Sequence, residues 1–271
     1  MGYSRQYYYK LCKQQQVVDS KAQAVIELVQ KERKLLPRLG TRKVYHLIAA
    51  TMRQKALKMG RDKLFTLMRD NDLLIAPRRR YVQTTNSRHW MKKHPNRAKT
   101  LTVIKPEQLW VSDITHIRTE EGFCYLNMVT DAYSRKIVGY AIADNMEAES
   151  MIAAMAMALA TKTASYRTMH HSDRGTQYCS QLYVSLMKRN KCIISMTENS
   201  DPYENALAER MNRTIKEEFG LDKVIKSRAL ASKMVKEAID LYNYRRPHLS
   251  LKMKTPDEIH KKSRLLSAVG T

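Results

Sequence analysis

Apolar residues recur at helical spacing through the first seventy residues of the chain. They predict a helix over 20–36, a second helix that begins with Thr41 as its N-cap, and a third that runs from after Gly60 to about residue 71. Three short helices with a glycine-containing turn before the last are compatible with a helix-turn-helix module. Many small helical bundles share this pattern, so both interpretations stay open.

The pattern changes at Leu109 to short stretches rich in β-branched and aromatic residues. Three such stretches, separated by turn residues, predict an antiparallel meander over 109–118, 124–131 and 135–143. A run of strong helix formers over 147–162 predicts a core helix in which the methionines are packing residues. The segments that follow predict a strand ending near Ser172, a helix over 180–189, a strand over 192–196 and a long helix opening near Asp201. This order is typical of an α/β domain with a mixed five-stranded sheet flanked by helices.

Positive charge is concentrated in the N-terminal part of the chain. The 271 residues carry 49 Lys and Arg against 26 Asp and Glu, a net charge of +23, of which residues 1–105 hold +19. An excess of this size predicts a polyanionic partner, most commonly nucleic acid. The hydrophobic fraction of 43% predicts a folded core, and the four cysteines show no paired spacing. No apolar run approaches the ~20 residues that span a bilayer. The sequence therefore favours a soluble intracellular protein with reduced thiols and no membrane partner.

Residues 77–108 form a predicted basic linker. The segment contains three prolines, has no sustained apolar period and begins with Arg78, Arg79 and Arg80. It is either a solvated tether or a strap along a phosphate backbone, and the aromatic residues Tyr81 and Trp90 among the charges favour the strap.

Three acids fall where an α/β sheet presents functional side chains. Asp113 lies in an otherwise apolar strand, where a charge is costly unless it is paired or binds a cation. Asp173 ends a later strand, directly before a glycine turn. Glu209 lies on the helix that Asp201 is predicted to open, and three polar residues recur on its face: Asn205, Asn212 and Lys216. Carboxylates that converge at one sheet edge are what a divalent-cation site for phosphoryl transfer requires.

Other charged residues near these motifs have simpler interpretations. The remaining acids of this region are expected to be surface carboxylates or cap residues: Asp131, Asp144, Glu204, Glu217 and Glu218. His170 and His171 are adjacent in a strand, so at most one can face the site. Either is expected to be structural, because Mg²⁺ prefers oxygen ligands.

Four segments of the chain together carry a family resemblance. They are Trp110–Thr115, His171–Tyr178, Asn199–Ala206 with Glu209, and Tyr244–His248 followed by Thr255 and Pro256. They resemble the DDE transposases with a retroviral-integrase-like catalytic core, and more closely the second-reading-frame (orfB) product of insertion sequences of family three. Asp173 and Glu209 are separated by 35 residues, as in that group's D,D(35)E signature. Lys216 stands seven residues beyond the glutamate, where the family has a basic residue.

The resemblance implies a ribonuclease H-like core with Asp113, Asp173 and Glu209 as its catalytic and metal-binding triad, holding Mg²⁺ or Mn²⁺ as two ions. It implies cleavage of transposon-end DNA by water, followed by attack of the freed 3′-hydroxyl on a second phosphodiester. Its implied partners are transposon-end and target DNA, a second copy of the chain to synapse two ends, and a first-frame partner or fusion. Its implied location is the nucleoid-associated cytoplasm of a bacterium.

Taken together, these patterns predict four regions. Residues 1–76 form a helical, helix-turn-helix-like DNA-binding region, 77–108 the linker, 109–225 the catalytic core, and 226–271 a C-terminal helix and basic tail. Arg245 and Arg246 either contact the DNA backbone or belong to a C-terminal brace with solvated charges. Lys216 is expected to hold a phosphate near the scissile bond. The further DNA-contact candidates are Asn205, Asn212, Arg213 and Arg78 to Arg80, the two asparagines being alternatively supports for the acids.

Two other functions remain open on the sequence alone. A sequence-specific DNA-binding regulator with an inert core would account for the basic N-terminal part, but it leaves three matched acids unexplained. A metal-dependent nuclease that cuts without joining would use the same triad.

Overall fold

The computed structural model describes residues 4–76, 91–198 and 205–261, and it divides the chain into two compact units, 1–79 and 80–271. Three sets of predictions fall outside the described residues. They concern Arg78 to Arg80, Tyr81 and Trp90 in the linker, the helix start formed by Asp201 and Glu204, and the basic tail over 262–271.

The first unit consists of three helices, α1 (Arg5–Leu35), α2 (Thr41–Gln54) and α3 (Arg61–Asp70). Val29, Val44 and Leu64 are fully buried among them, which confirms the three apolar stripes. α1 begins well before the predicted residue 20, because its first half is built of good helix formers without an apolar stripe. The N-cap of α2 is Gly40 and not Thr41, so that cap prediction is wrong.

The second unit is built on a mixed sheet of five strands. They are β1 (Leu109–Thr119), β2 (Gly122–Asp131), β3 (Ile137–Ala143), β4 (Met169–Ser172) and β5 (Ile193–Met196). Their order across the sheet is β3-β2-β1-β4-β5. The first three strands pair antiparallel, while β4 runs parallel to β1 and β5 parallel to β4. The predicted mixed five-stranded sheet is confirmed.

Helices cover this sheet and enclose its apolar core. They are α4 (Ala148–Thr161), α5 (Thr176–Cys179), α6 (Gln181–Arg189), α7 (Ala206–Glu218) and α8 (Arg228–Tyr244), followed by a 3₁₀ turn (Leu249–Leu251). α4 approaches β3 so closely that a Cβ at Gly139 would lie 2.1 Å from the carbonyl oxygen of Ala154. Only glycine therefore permits this packing. Met151 and Met155 of α4 are fully buried, as predicted for packing residues.

The C-terminal segment packs on the sheet. The Asn243 side chain of α8 accepts from the backbone N–H of Ile137 and donates to its carbonyl, each at 2.9 Å, and Tyr242 beside it is fully buried. A last helix over 256–261 buries His260. These contacts support the brace for this part of the chain.

Cys12, Cys124, Cys179 and Cys192 are all free thiols, and only Cys12 lies outside the buried class. Over the described ranges, no helix is both long and apolar enough to cross a membrane.

Candidate active site

The three predicted acids lie at one edge of the sheet. Asp113 is in β1, Asp173 directly follows β4, and Glu209 is in the first turn of α7. β1 and β4 are parallel neighbours, with Val111 opposite His171. Continuing that register by two residues places Asp113 opposite Asp173. All three carboxylates are half-buried, so they are reachable from solvent.

Burial and nearby negative charge disfavour the charged forms of Asp113 and Glu209. The pKa of Asp113 is raised to about 7, first by burial and then by the negative charges of Asp173 and Glu209. Hydrogen bonds from the Ile114 N–H and from Asn212 act in the opposite direction. The pKa of Glu209 is raised by burial and by Asp173. A cation bound among the three acids would relieve this repulsion.

The donor set fits a hard divalent cation. No group of three His, Cys, Asp or Glu side chains within 4–76, 91–198 and 205–261 is arranged to surround a single metal ion. Mg²⁺ usually takes only one or two protein carboxylates and completes its octahedral shell with waters and substrate phosphate oxygens. Carboxylates that are reachable from solvent are compatible with this preference.

α7 supports β1 through a matched set of polar contacts. The Asn212 Nδ2 donates to Asp113 Oδ2 at 2.9 Å, and one helical turn later Lys216 Nζ donates to Thr115 Oγ1 at 3.3 Å. Residues four apart on a helix and two apart on a strand each share one face, so the two pairs lie side by side. Thr115 was missed by sequence reasoning, although its position two residues after Asp113 was the available signal.

Asn205 and Asn212 were candidates either for DNA contact or for support of the acids. Both are buried, and Asn205 Nδ2 donates to the Ser112 carbonyl at 3.0 Å. Their contacts with β1 favour the supporting role, because a buried amide bonded to the protein presents little to a DNA strand.

The predicted basic contacts differ in exposure. Arg213 on α7 and Arg245 after α8 are exposed. Lys216 is half-buried, and burial together with the nearby charge of Arg118 lowers its pKa. Arg246 is 5% exposed and pairs with Glu218 at 2.5 Å, which favours the brace over DNA contact for this residue. The expectation that Glu218 is a simple surface carboxylate is wrong, since it partners this buried guanidinium.

The two histidines beside the site are structural. His170 Nε2 lies 2.6 Å from Ser112 Oγ, its Nδ1 bonds the Tyr183 hydroxyl, and His171 Nδ1 lies 2.9 Å from Ser195 Oγ. Burial lowers the pKa of His170 to about 3, so its ring is neutral at physiological pH.

The expectation that Asp131 lies at the surface is wrong. Asp131 is fully buried, and it accepts hydrogen bonds from the Glu107 N–H at 2.5 Å and from the Ser134 N–H and hydroxyl at 2.7 and 2.6 Å. His260 Nδ1 lies 3.8 Å from this carboxylate, and His260 Nε2 lies 3.6 Å from that of Glu107. We call Glu107, Asp131, Ser134 and His260 the structural acid cluster.

Comparison with known proteins identifies the family. Two family models, both described as an integrase core domain, match residues 104–202 and 190–256. The chain is 32% identical to the insertion element IS600 uncharacterized 31 kDa protein of Shigella sonnei, over 84% of each chain. It is 31% identical to the transposase for insertion sequence element IS629 of Shigella sonnei, over 76% of this chain and 68% of that protein. The chain belongs to the IS3-family transposases.

Solved structures show the fold of this transposase. A cryo-EM structure of a simian T-cell lymphotropic virus intasome in complex with PP2A regulatory subunit B56 gamma matches at a TM-score of 0.50. It is 17% identical and covers 79% of this chain and 73% of that chain. The HTLV-2 integrase catalytic core domain in complex with magnesium, in its trimeric form, has a TM-score of 0.48 and 19% identity, over 58% of this chain and 98% of that chain. Together with the two integrase-core family models, the intasome match shows that the sheet with its flanking helices is an integrase-like, ribonuclease H-like core, as predicted.

Proposed function

We propose that this IS3-family transposase cleaves transposon-end DNA and joins the freed end to a second DNA site, with Asp113, Asp173 and Glu209 as its catalytic and metal-binding residues. The observation that carries the proposal is their meeting at one sheet edge, half-buried and mutually repelling. Half-buried carboxylates that repel one another are typical of catalytic and binding sites, where their arrangement does not stabilise the fold.

The proposed cofactor is Mg²⁺ or Mn²⁺, as two ions shared by the three acids. Bound there, the ions would supply a clamp for the attacking and leaving oxygens of an in-line displacement at phosphorus. The contribution of the chain is to hold the carboxylates in place. Asn212 fixes one oxygen of Asp113 and leaves the other carboxylate oxygen to a backbone N–H and to the ligand.

The proposed reaction has two displacements at phosphorus. In the first, a water oxygen bonds to the phosphorus at the transposon end and the bond to the 3′-oxygen breaks, which leaves a 3′-hydroxyl and a 5′-phosphate. In the second, that 3′-hydroxyl attacks a phosphodiester of the target, which releases a new 3′-hydroxyl. Neither step needs a protein nucleophile, so positioning and electrostatics carry the catalysis.

Basic residues around the acids are proposed to hold the DNA. Arg213 is exposed on α7, one turn beyond Glu209, and Lys216 follows on the side of the helix that faces β1. Loss of hydration by Lys216 favours pairing with an anion such as a phosphate oxygen. The helical unit over 1–79 and the basic linker are proposed to add DNA affinity, and a homo-oligomer to bring two ends together.

A cleavage and joining assay tests this proposal. Duplexes made from the DNA that flanks the gene are incubated with the protein in Mg²⁺, in Mn²⁺ and in EDTA, both uncut and with a precut 3′-hydroxyl end. We expect metal-dependent nicking of the first and joined products from the second. Nicking without joining would indicate a nuclease. Binding of the same duplexes with neither product would indicate a DNA-binding regulator.

A further inference from the structure

One edge of the second unit is almost free of acidic residues. Between them, residues 91–106 and 160–198 hold eleven Lys and Arg, while their only acids are Asp173 of the active site and Glu198. β5 is the edge strand of the sheet, and the segment from residue 91 packs along it, with the Arg97 N–H donating to Ser195 Oγ at 2.9 Å. The structure therefore gathers these two basic stretches at the same edge.

Three of these cations line a recess at the end of the sheet opposite the active site. A cavity of about 360 Å³ is bounded by Arg167, Lys188, Lys191 and Cys192. The three basic side chains are exposed, and Arg167 Nε donates to the Lys191 carbonyl at 3.1 Å. Because β4 and β5 are parallel, the residues before both strands lie at one end of the strands, and the residues after both strands lie at the opposite end. Arg167 and Asp173 are thus roughly 20 Å apart, at ~3.3 Å per residue of extended chain.

Other cations continue the recess in both directions. Arg167 also borders an adjoining cavity of about 250 Å³, where Lys105 lies over the Tyr166 ring at 3.9 Å. On the other side, the pKa of His94 is lowered by burial and then by the charges of Lys92, Arg97 and Lys188. Lys188 therefore lies close to the segment that begins at residue 91. We call the three cations that line the recess, Arg167, Lys188 and Lys191, the edge strip.

We propose that the edge strip binds the phosphate backbone of duplex DNA at a site separate from the catalytic acids. A DNA strand presents one phosphate per ~3.4 Å of helix axis, so it is recognised by a row of cations rather than by a single charged pocket. The side chains of the strip come from several elements, and the two basic stretches gathered at this edge hold only two acids, Asp173 and Glu198. The inference rests on the proposed function only in taking DNA as the polyanion.

The surface of α8 differs from the edge strip in its balance of charges. Its cations are interleaved with acids, since Lys233 and Lys236 stand beside Glu237 and Asp240, and all four are exposed. Such a mixed surface has a weaker net field and is typical of solvated helices. Lys233 and Lys236, together with the exposed Lys226, therefore provide a control set of equal charge within the same unit.

DNA affinity and its salt dependence test the proposal. Binding of a 40-base-pair duplex is measured by fluorescence anisotropy in EDTA at several salt concentrations. The full-length parent is compared with the triple variant Arg167→Ala, Lys188→Ala, Lys191→Ala and with the control triple Lys226→Ala, Lys233→Ala, Lys236→Ala. Each lost phosphate contact lowers the slope of log K against log salt by about 0.9, so we expect the strip triple to lose about 2 to 3 from the slope. Its affinity should fall tenfold or more at low salt, and the control triple should match the parent.

Joining of a short precut end at saturating protein separates this inference from the proposed function. The strip triple should retain parental joining, because the strip lies away from the acids. Equal slopes for the two triples would overturn the inference while leaving catalysis intact. If the parent itself gives no joined product while its DNA binding still depends on the strip, the proposed chemistry is overturned and DNA binding by the strip is supported. Binding of an acidic protein but not DNA to the strip would also overturn the inference.

Discussion

Asp113 and Asp131 are carboxylates on neighbouring strands, the first half-buried and the second fully buried, and their surroundings are opposite. Asp131 accepts three hydrogen bonds and lies beside a buried histidine. Asp113 has two donors and lies against two further negative charges, which with burial raise its pKa to about 7. A buried acid whose hydrogen bonds are made within the chain stabilises the fold. An acid that is repelled by neighbouring negative charges is available to bind a ligand.

Asp113→Asn is expected to have the largest effect on activity and little on stability. Loss of a charge that holds the cations removes several kcal/mol of transition-state stabilisation, so joining should fall by about a thousandfold or more. The unfolding midpoint in metal-free buffer should be unchanged or higher, because a repelling charge is gone. Activity is measured by single-turnover joining of a precut end, with Asp144→Asn, an exposed acid, as the control. Parental activity in Asp113→Asn would contradict the assignment.

Asp131→Ala should have the opposite effects, with a large loss of stability and little change in activity. It leaves the Glu107 and Ser134 N–H groups without their acceptor and removes the neighbouring charge from His260, and the loss of one partner from a buried polar set costs about 3–5 kcal/mol. Urea unfolding followed by intrinsic fluorescence measures this loss. The fraction that stays folded should join DNA at the parental rate. Unchanged stability with lost joining would place Asp131 in the active site instead.

Asn212→Ala tests whether a hydrogen bond within the chain supports the catalytic role of Asp113. Removing a hydrogen bond to a metal-binding carboxylate lowers metal affinity or turnover by about 10- to 100-fold. We expect kcat to fall and the apparent KM for DNA to stay near the parental value, because Asn212 is bonded to Asp113 and buried. A rise in KM with kcat preserved would show that Asn212 contacts DNA.

The pH dependence of stability tests the surroundings of Asp113 without an activity measurement. The pKa of Asp113 in the folded protein is about 7, above its usual value near 4, so between these values the folded state binds a proton that the unfolded state releases. In metal-free buffer, the stability of the parent relative to Asp113→Asn should therefore rise as pH falls from about 7 to about 4. Thermal midpoints of both proteins across this range measure the difference, and other titrating groups cancel in it. A constant difference would show that the pKa of Asp113 is not raised in the folded protein.

Much of the core could be predicted from local patterns. Stretches rich in β-branched and aromatic residues located the first three strands. The family resemblance, through its D,D(35)E spacing, implied that Asp113, Asp173 and Glu209 form one site. These signals work because strand periodicity and the edge at which parallel strands end are fixed by backbone geometry.

The errors concern partners distant in sequence. Ser134, three residues after Asp131, is a visible turn partner, but His260 arrives from the C-terminal helix and no local pattern reveals it. Arg246 and Glu218 are likewise joined only by the packing of α8 against α7. Sequence reasoning could find acids in unusual positions, but whether an acid is satisfied depends on contacts that folding alone creates.

Mn²⁺ binding by the parent, by Asp113→Asn and by Asp131→Asn tests the central claim most directly. Titration is followed by the loss of the free Mn²⁺ electron paramagnetic resonance signal, on protein shown to be folded by circular dichroism. The account predicts that the parent and Asp131→Asn bind Mn²⁺ alike and that Asp113→Asn binds at least about tenfold more weakly, as expected when a metal ligand or its support is lost. Equal binding by the parent and Asp113→Asn would contradict the account, as would loss of binding in a folded Asp131→Asn.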